Sequence, residues 1–480
     1  MDTDARSRMP SSRDTTTAPP RPVRRVAGAV ALALSLGALS AGTSLADTTT
    51  PGAPGARTGT QVVDPASLVS VTGATGNADP TTVPLRSVSV GTAAQLTTAL
   101  AAALPGDDIV LAAGTYVGPF SVGRSGTTAH PVVVRAAAGA TVTLTSDLPY
   151  PACDAKGPDE SRTVSFERGA SHWVLRGVRV DGGVKVSSQG ANLTQQWQAT
   201  KIDQHDWAAR RSVPGAATRD PGAGGGVVDW FAALLGQPIL PSADVQITDN
   251  VLTGRGIFGR MARYGVVSGN TFTDIACGTG PAVWLSNYSH GNVITGNDVS
   301  RVAASTVKHF MQEGIRLGNG SNYNVVTGNR VHDLAVGGRA FTTDQDSSWN
   351  VFTDNTADHV DMGFNEQQSG WGNVWSHNSV TNATVAAYSI RMQDGRFLTP
   401  TEDSSSFFVE MSCNSSVASS VGAVDFQAGA IAHGSFAGNA FVSYMLNKRL
   451  AAYWATVGDT WNSSTTAPRT GVSSPSTITC

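Results

Sequence analysis

The chain repeats one short pattern, in which a β-branched run ends at an asparagine that follows Gly, Asp or His. Residues 322–334 read NYNVVTGNRVHDL, and residues 291–302 read GNVITGNDVSRV. A self-similar period of 20 to 36 residues is typical of a solenoid. The shared asparagine falls at Asn250, Asn270, Asn297, Asn329, Asn355, Asn378 and, more loosely, at Asn414 and Asn439.

The local chemistry of each copy is that of a β-strand. Runs such as Val325-Val326 and Val351-Phe352 are short and end at a turn residue, and no long apolar pattern of helical period separates the copies. The asparagine itself suits the left-handed conformation at a turn between strands, and stacked copies can form an amide ladder. The pattern therefore predicts an all-β, single-stranded right-handed parallel β-helix.

Composition narrows the class of protein. Of the 480 residues, 14% are charged, 7% are aromatic and 52 are glycine, with a formal net charge of −3. This turn-rich and weakly charged composition is typical of secreted β proteins. No basic tract occurs beyond the N-terminal region, so we expect no nucleic-acid partner.

The N-terminal region is interpreted as a signal peptide, residues 1–46. RPVRR at 21–25 precedes the apolar run 26–41, and Ser44-Leu45-Ala46 fits a cleavage site. This predicts a secreted chain that begins near Asp47 and has no membrane span. An exported chain with four cysteines can form two disulfides in three alternative pairings. These cysteines are Cys153, Cys277, Cys413 and Cys480.

The rest of the chain divides into three parts. Residues 47–87 read as a flexible leader, and residues 88–440 as the β-helix with an insertion at 188–241. Within the first coil, Leu96, Leu100 and Leu104 share one helical face, which predicts an N-terminal α-helical cap. Residues 441–480 are expected to form a C-terminal cap and tail.

Together, the cap segment, PGDDIVLAAGTYVG at 105–118 and the N-V-x-x-G-N coils resemble the pectate lyase-like superfamily of right-handed parallel β-helices. Within it, the pattern is similar to the chondroitinase B and alginate lyase family, over about residues 88–440. The resemblance implies a carbohydrate-active β-helix. It does not extend to that family's catalytic set: aligned on Asn350, its E-x-E and lysine positions hold Arg339, Phe341 and Asp346, and its arginine position holds Gln367.

Counting back from each turn asparagine locates a second ladder of residues. Side chains alternate across a strand, so if Ile315 and Phe341 face the core, their neighbours face outward on one sheet. The outward set comprises Trp284, Arg316, Asp344, Asn365 and Gln367, with Arg391 added by pattern. Glu366 falls on the inward parity. A row of mixed charge across successive coils suits an extended sugar polymer.

Two reactions compete for this row. β-Elimination on a uronate needs a cation and a base: Arg316 or Arg391 is expected to neutralise the carboxylate, with Lys308, His309 or an arginine as base. Calcium binding is expected, if it occurs, at Asp344 and Asp346. Hydrolysis or glycosyl transfer, as in a fructotransferase, instead needs two carboxyl groups, taken from Asp344 or Asp346 with Glu366 or Asp361.

The sequence thus predicts a polysaccharide lyase, with a glycoside hydrolase or transglycosylase as the alternative and a non-catalytic glycan-binding solenoid as the second alternative. The expected catalytic residues are Arg316, Asp344, Glu366, Arg391 and Lys308. The expected substrate-binding residues are Trp284, Asn365, Gln367, His309 and Trp207. A homo-oligomer, a trimer included, stays an open expectation because parallel β-helices often trimerise.

Overall fold

The computed structural model describes residues 84–155, 159–188, 242–287, 291–304, 312–319, 323–344, 350–366, 373–390 and 408–417, the single residues 240, 289, 321 and 347, and four short strands beyond residue 423. One helix, α1 (Ala93–Ala102), and 34 strands lie in this part of the chain. Every pairing between these strands is parallel. The predicted all-β parallel solenoid is therefore confirmed.

The first sheet has 13 strands, and each strand hydrogen-bonds the corresponding strand of the next coil. In spatial order they are β1 (Arg86–Val90), β2 (Asp107–Leu111), β5 (Val132–Ala136), β8 (Trp173–Arg176), β12 (Val245–Thr248), β16 (Val266–Ser268), β19 (Val293–Thr295), β22 (Val325–Thr327), β25 (Val351–Thr353), β27 (Asn373–Ser376), β29 (Phe408–Ser412), β32 (His433–Ala437) and β34 (Asn462–Ser463).

Nineteen further strands are connected in two parallel series. The turn series follows the turns after the first sheet: β3 (Gly114–Gly118), β6 (Val142–Ser146), β9 (Arg179–Asp181), β13 (Val251–Gly254), β17 (Thr271–Ile275), β20 (Asp298–Ser300), β23 (Arg330–His332), the first part of β26 (Thr356–Glu366), the first part of β28 (Ser379–Ile390) and β30 (Ser415–Val417).

The site series continues each coil: β4 (Phe120–Val122), β7 (Val164–Phe166), β10 (Val184–Ser187), β14 (Ile257–Arg260), β18 (Val283–Ser286), β21 (Glu313–Leu317), β24 (Arg339–Thr343), the later parts of β26 and β28, β31 (Val424–Phe426) and β33 (Met445–Leu446). A small pair, β11 (Ser242–Ala243) and β15 (Ala262–Arg263), lies beside them.

The turn between the first sheet and the turn series explains the repeated dipeptide. The left-handed backbone belongs to the residue before the asparagine, with φ of 55° at Asp249, 62° at Gly269, 56° at Asp354 and 54° at His377. The expectation that the asparagine itself adopts this conformation is wrong. Gly, Asp and His precede it because glycine tolerates positive φ freely and short polar residues tolerate it better than most.

The asparagine instead forms the predicted amide ladder. Asn270 Oδ1 accepts hydrogen bonds from the backbone N and the Nδ2 of Asn250, at 3.0 and 3.1 Å, and Asn270 Nδ2 donates to the carbonyl oxygen of Ile247 at 2.8 Å. The same contacts continue through Asn297, Asn329, Asn355, Asn378 and Asn414. These amides are buried, so the ladder satisfies backbone groups that water cannot reach.

The interior of each coil is filled by apolar side chains in register. Phe341, Phe364 and Tyr388 stack on successive coils with ring centroids 4.7 and 5.1 Å apart, and Phe352 stacks on Trp375 at 4.1 Å. Because stacked aromatic rings leave few voids, these rings fill the core beneath the site series. We call them the core column.

Helix α1 lies where the sequence predicts it. Thr92 caps its N-terminus by accepting a hydrogen bond from the backbone N of Gln95, and Leu96 and Leu100 pack into the core. Leu104 was expected on the same face, but the helix ends at Ala102 and Leu104 is 49% exposed. The function of α1 as a cap stays a prediction.

The structure shows three of the four cysteines in disulfide bonds. Cys153 pairs with Cys277, and Cys413 is also disulfide-bonded. The proposed signal peptide and most of the leader, nearly all of the insertion at 188–241, and most of the C-terminal cap and tail lie outside the described residues. In the part that is described, no helix is long and apolar enough to cross a membrane.

Candidate functional site

The site series carries a row of side chains that point away from the core. Successive coils bring Lys185, Phe258, Trp284, Arg316, Thr342, Asn365 and Ser389 into register as direct strand partners. We call these seven residues the outward row. Their neighbours Ile257, Ile315 and Phe341 belong to the core, whereas Phe258 is buried but lies outside the core cluster.

A network of charged side chains is centred on Arg316. Arg316 Nη1 donates to Glu313 Oε2 at 2.8 Å, and Nη2 contacts Asp344 Oδ2 one coil further on. Arg339 Nη1 lies 3.7 Å from Glu313 Oε1. Glu313 has no exposed surface, and the Arg316 side chain keeps 15%. One guanidinium thus holds two carboxylates on separate nitrogens.

The first two residues of β21 explain how Glu313 joins this network. A Cβ on the next residue, Gly314, would lie 2.6 Å from a side-chain atom of the core residue Val331. The backbone at Gly314 therefore faces the core, and the preceding Glu313 turns outward toward Arg316. Sequence parity alone would place Glu313 with Ile315 on the inward side.

Two aromatic rings lie next to the charged network. The guanidinium of Arg316 lies 5.6 Å from the centroid of the Trp284 ring, and Trp284 meets Phe258 edge to face at 5.1 Å. A cation over an indole face is favourable and fixes both groups in position. The Trp284 ring is thereby held between an aromatic edge and a cation.

The charge state of Arg316 limits its chemistry. Burial alone would lower the pKa of Arg316, but the carboxylates of Glu313 and Asp344 outweigh it and hold the pKa above its ordinary value. A guanidinium in this setting remains protonated. Arg316 therefore binds and orients, and it does not act as a general base.

A strap crosses the same face. It consists of residues 147–155 and 159–163, which link β6 to β7. The Cys153–Cys277 disulfide fixes its outer limb. Arg255 donates to the carbonyl oxygen of Pro149 at 2.5 Å and to Asp159 Oδ2 at 2.6 Å, and its guanidinium lies 4.1 Å from the Tyr150 ring centroid.

The returning limb of the strap covers one end of the outward row. Glu160 forms ion pairs with Arg260 and, at 3.6 Å, with Lys185. The guanidinium groups of Arg162 and Arg260 lie 5.9 and 5.6 Å from the Phe258 ring centroid. Phe258 points outward yet is only 2% exposed, so the row is closed at this coil.

Exposure along the outward row is interrupted. Trp284 and Arg316, on adjacent coils about 5 Å apart, are partly exposed, and so is Lys185 at the end of the row. Phe258, Thr342, Asn365 and Ser389 are buried. The sequence predicts a long open groove, whereas the described part of the row is closed at these four residues.

Glu366 lies on the opposite side of its strand. It is the strand partner of Thr343, not of Thr342, and it has no exposed surface. Its Oε2 accepts a hydrogen bond from Trp375 Nε1 at 3.1 Å, and Trp375 belongs to the core column. Burial raises the pKa of Glu366 to about 7, an effect that hydrogen bonds from Trp375 and Asn373 partly offset.

The structure thus brings together Trp284, Arg316 and Asp344 and adds Glu313 and Arg339 to them. It places Glu366 in the core and buries Asn365. Asp361, offered as a partner carboxylate, accepts hydrogen bonds from Gly337 N at 2.5 Å and from Thr384. The remaining predicted site residues lie outside the described residues: Lys308, His309, Asp346, Gln367, Arg391 and Trp207.

Calcium was expected at Asp344 and Asp346. Asp344 contacts Arg316 through one carboxylate oxygen, and Asp346 lies outside the described residues. Within the described residues, no group of three or more His, Cys, Asp or Glu side chains could hold a metal ion. Calcium binding stays a prediction.

Sequence reasoning missed three features of the site. Glu313 stands before a glycine whose inward turn breaks the strand parity. Phe258 and the strap lie in coils that lack the regular N-V-x-x-G-N pattern. Gly314, in EGIR at 313–316, was the sequence feature that could have indicated the outward position of Glu313.

Comparisons with known proteins give no family model and no curated protein that matches the sequence. Several solved structures resemble the chain. Alginate lyase from Paenibacillus sp. str. FPU-7 is 15% identical over 72% of this chain and 98% of its own, with a TM-score of 0.34. Pectate lyase Pel9A is 14% identical over 71% and 78%, with a TM-score of 0.41. The periplasmic alginate epimerase AlgG is 13% identical over 75% and 84%, with a TM-score of 0.38.

Proposed function

We propose that this protein is a carbohydrate-active enzyme that cleaves a glycan at the partly exposed middle of the outward row. One observation carries the proposal: Arg316 holds the carboxylates of Glu313 and Asp344 on its two terminal nitrogens, directly beside the Trp284 ring. An aromatic ring next to acidic groups suits a sugar, which has an apolar face and a rim of hydroxyls.

The geometry favours chemistry by a carboxylate pair. Glu313 and Asp344 contact separate nitrogens of one guanidinium, so their carboxyl groups lie on the same site, as glycoside cleavage by two carboxyl groups requires. One carboxyl group would act as nucleophile or base. The other would donate a proton to the leaving oxygen. The proposed reaction is hydrolysis or glycosyl transfer.

β-Elimination on a uronate-containing glycan is the second candidate. The position of Arg316 on the outward row favours it, since elimination needs a cation near the substrate carboxylate. The candidate bases Lys308 and His309 precede this coil in the sequence. In this scheme Arg316 would bind the uronate, and its raised pKa keeps it charged at every working pH.

Product analysis separates the two reactions. The full-length mature protein is incubated with a panel of neutral and uronate polysaccharides in ¹⁸O-labelled water. Hydrolysis adds labelled oxygen to the new reducing end, and elimination gives an unsaturated uronate that absorbs in the ultraviolet without label. Binding of a polymer without cleavage of any would select a glycan-binding solenoid and overturn the enzymatic proposal.

Substitutions test the named residues. We expect Glu313→Gln and Asp344→Asn each to lower kcat by about a hundred- to ten-thousand-fold, the usual cost of losing an acid or base. Asp274→Asn is the matched control, because it removes a carboxylate from an exposed ion pair with Arg301. Each variant is assayed below its own unfolding temperature, since breaking a buried ion pair also destabilises the fold.

Export forms part of the proposal. It rests on the basic and apolar segments before residue 47 and on the disulfide between Cys153 and Cys277, which an oxidising compartment favours. N-terminal sequencing of protein recovered outside the cytoplasm should begin near Asp47. Recovery of chains that retain residues 26–41 would contradict it.

A further inference from the structure

Three successive coils of the outward row each carry a buried polar atom that has no hydrogen-bond partner. These atoms are Trp284 Nε1, Arg316 Nε and the hydroxyl oxygen of Thr342. Buried polar groups in native proteins are almost always paired, because an unpaired one loses its hydrogen bonds to water without replacement. Three such groups in register on one face are available to form hydrogen bonds with a ligand.

Two of these atoms lie at the same distance from one point. A Cβ placed on Gly318 would lie 3.5 Å from Arg316 Nε and 3.5 Å from Trp284 Nε1. Both nitrogens are N–H donors and neither can accept a hydrogen bond. The space that a side chain would occupy at residue 318 is therefore flanked by two donors.

The two donors are also fixed in direction. Arg316 is held through its terminal nitrogens by Glu313 and Asp344, and its guanidinium packs against the Trp284 ring. A donor that is already immobilised loses little conformational entropy when it binds. The arrangement is preorganised for a single acceptor atom.

We propose that Trp284 Nε1 and Arg316 Nε form an oxygen-binding subsite over Gly318 that receives a hydroxyl or carboxylate oxygen of the glycan. The inference rests on the proposed function and deepens it, since it defines which atom of the sugar is recognised beside the carboxylate pair. Binding here places the ring of that sugar unit next to Trp284 and the adjacent bond near Glu313 and Asp344.

Gly318→Ala tests the subsite directly. The added methyl group meets both nitrogens at ordinary van der Waals distance, and no positive φ opposes alanine at this position, so the fold should be retained. We expect the methyl group to displace the glycan oxygen and to raise KM, or the Kd for oligosaccharides, about tenfold or more. Gly123→Ala is the matched control, because its methyl group would contact only Arg168, at 3.9 Å.

Trp284→Phe gives a second, independent variant, because it keeps an aromatic ring and removes the N–H. If both substitutions act on one subsite, the double variant should lose less than the product of the two single effects. Independent effects that multiply fully would contradict a shared oxygen. The indole N–H resonance of Trp284, assigned by its absence in Trp284→Phe, should shift when a bound oligosaccharide accepts the hydrogen bond.

The probes distinguish the two sources of oxygen. Cello-, xylo- and fructo-oligosaccharides present hydroxyls, and oligogalacturonate and oligoalginate add carboxylates. A shift of the Trp284 resonance with neutral probes assigns a hydroxyl, and a shift with anionic probes alone assigns a carboxylate. If the wild type cleaves glycans while Gly318→Ala keeps an unchanged kcat/KM, the subsite is wrong and the proposed function stands. If Gly318→Ala weakens binding but no polymer is cleaved, the subsite stands and the enzymatic proposal fails.

Discussion

At the scale of single residues, Glu366 shows that adjacent residues of one strand face different environments. Its neighbour in the outward row, Asn365, points away from the core, whereas Glu366 points inward to Trp375. A buried carboxyl group favours its neutral form, since the ionised form loses its hydration. The raised pKa of Glu366 therefore results from its burial in the core.

This placement predicts a pH-dependent stability. The pKa of Glu366 is about 7 in the folded protein and near 4.5 when unfolded. Between these values the unfolded chain releases its proton while the folded chain keeps it, so stability falls as pH rises through the window. At about 1.4 kcal/mol per pH unit, the loss is about 3 kcal/mol.

Glu366→Gln should remove this loss, since glutamine has no charge to bury and keeps an acceptor for Trp375. Urea unfolding should show the variant more stable than wild type at pH 8 and close to it at pH 4. We also expect retained glycan cleavage, because the side chain faces the core. Loss of activity in a folded Glu366→Gln protein would instead restore the catalytic assignment made from the sequence.

The sequence predicted the orientation of those site residues that follow the alternation of side chains along a strand. Alternation placed Trp284, Arg316 and Asp344 outward and Glu366 inward, as the structure has them. It failed at Glu313, because the backbone turns inward at Gly314. Ion-pair geometry between coils depends on side-chain torsions, which no sequence period encodes.

At the scale of elements, the stacked asparagines tie each turn to the next coil. A second ladder runs through Asn292, Asn324, Asn350 and Asn373, in which each Oδ1 after that of Asn292 accepts from the backbone N and the Nδ2 of the asparagine in the preceding coil. The two ladders lie on either side of the first-sheet strands. Each strand of these coils is therefore fixed at both ends by buried amides.

Asn329→Ala should be strongly destabilising. Asn329 Nδ2 donates to the carbonyl oxygen of Ile294 and to Asn355, and its Oδ1 accepts from the backbone N and Nδ2 of Asn297. Alanine leaves these buried partners unsatisfied, at an expected cost of about 3 kcal/mol or more. The midpoint of urea unfolding measures the loss.

Asn382→Gly is the control for the ladder, since Asn382 donates to Asp358 from a partly exposed position and its φ of 55° suits glycine. We expect it to change stability by less than about 1 kcal/mol. Equal losses in the two variants would show that the buried ladder carries no special stability. The asparagine ladder was predictable from the repeat. The left-handed residue before each asparagine was not, because Gly, Asp and His all tolerate positive φ but have different side chains.

At the scale of the whole solenoid, the repeat supplies a long row and irregular segments determine how much of it is open. The strap closes the row at Phe258 through Arg162, Arg260 and Glu160. The side chains beyond Arg316 are buried as well. Periodicity predicts the row because every coil contributes to it. It cannot predict the strap, which belongs to no repeat.

The closure of the outward row at Phe258 has a consequence for the products, under the proposed function. If a polymer cannot pass this coil, we expect it to enter by a chain end and to release short, uniform products. Mass spectrometry of early time points and solution viscosity measure this: viscosity should fall slowly relative to the release of new chain ends.

The double variant Cys153→Ser, Cys277→Ser should change this product pattern. Without the disulfide, the outer limb of the strap loses its covalent anchor and the row can open at Phe258, which admits internal segments of a polymer. Viscosity should then fall earlier for the same number of cuts. Arg301→Ala, which removes an exposed ion pair on the turn series, is the control for surface change. Long products from the wild type at the earliest times, or an unchanged pattern in a folded double variant, would show that the strap does not limit access.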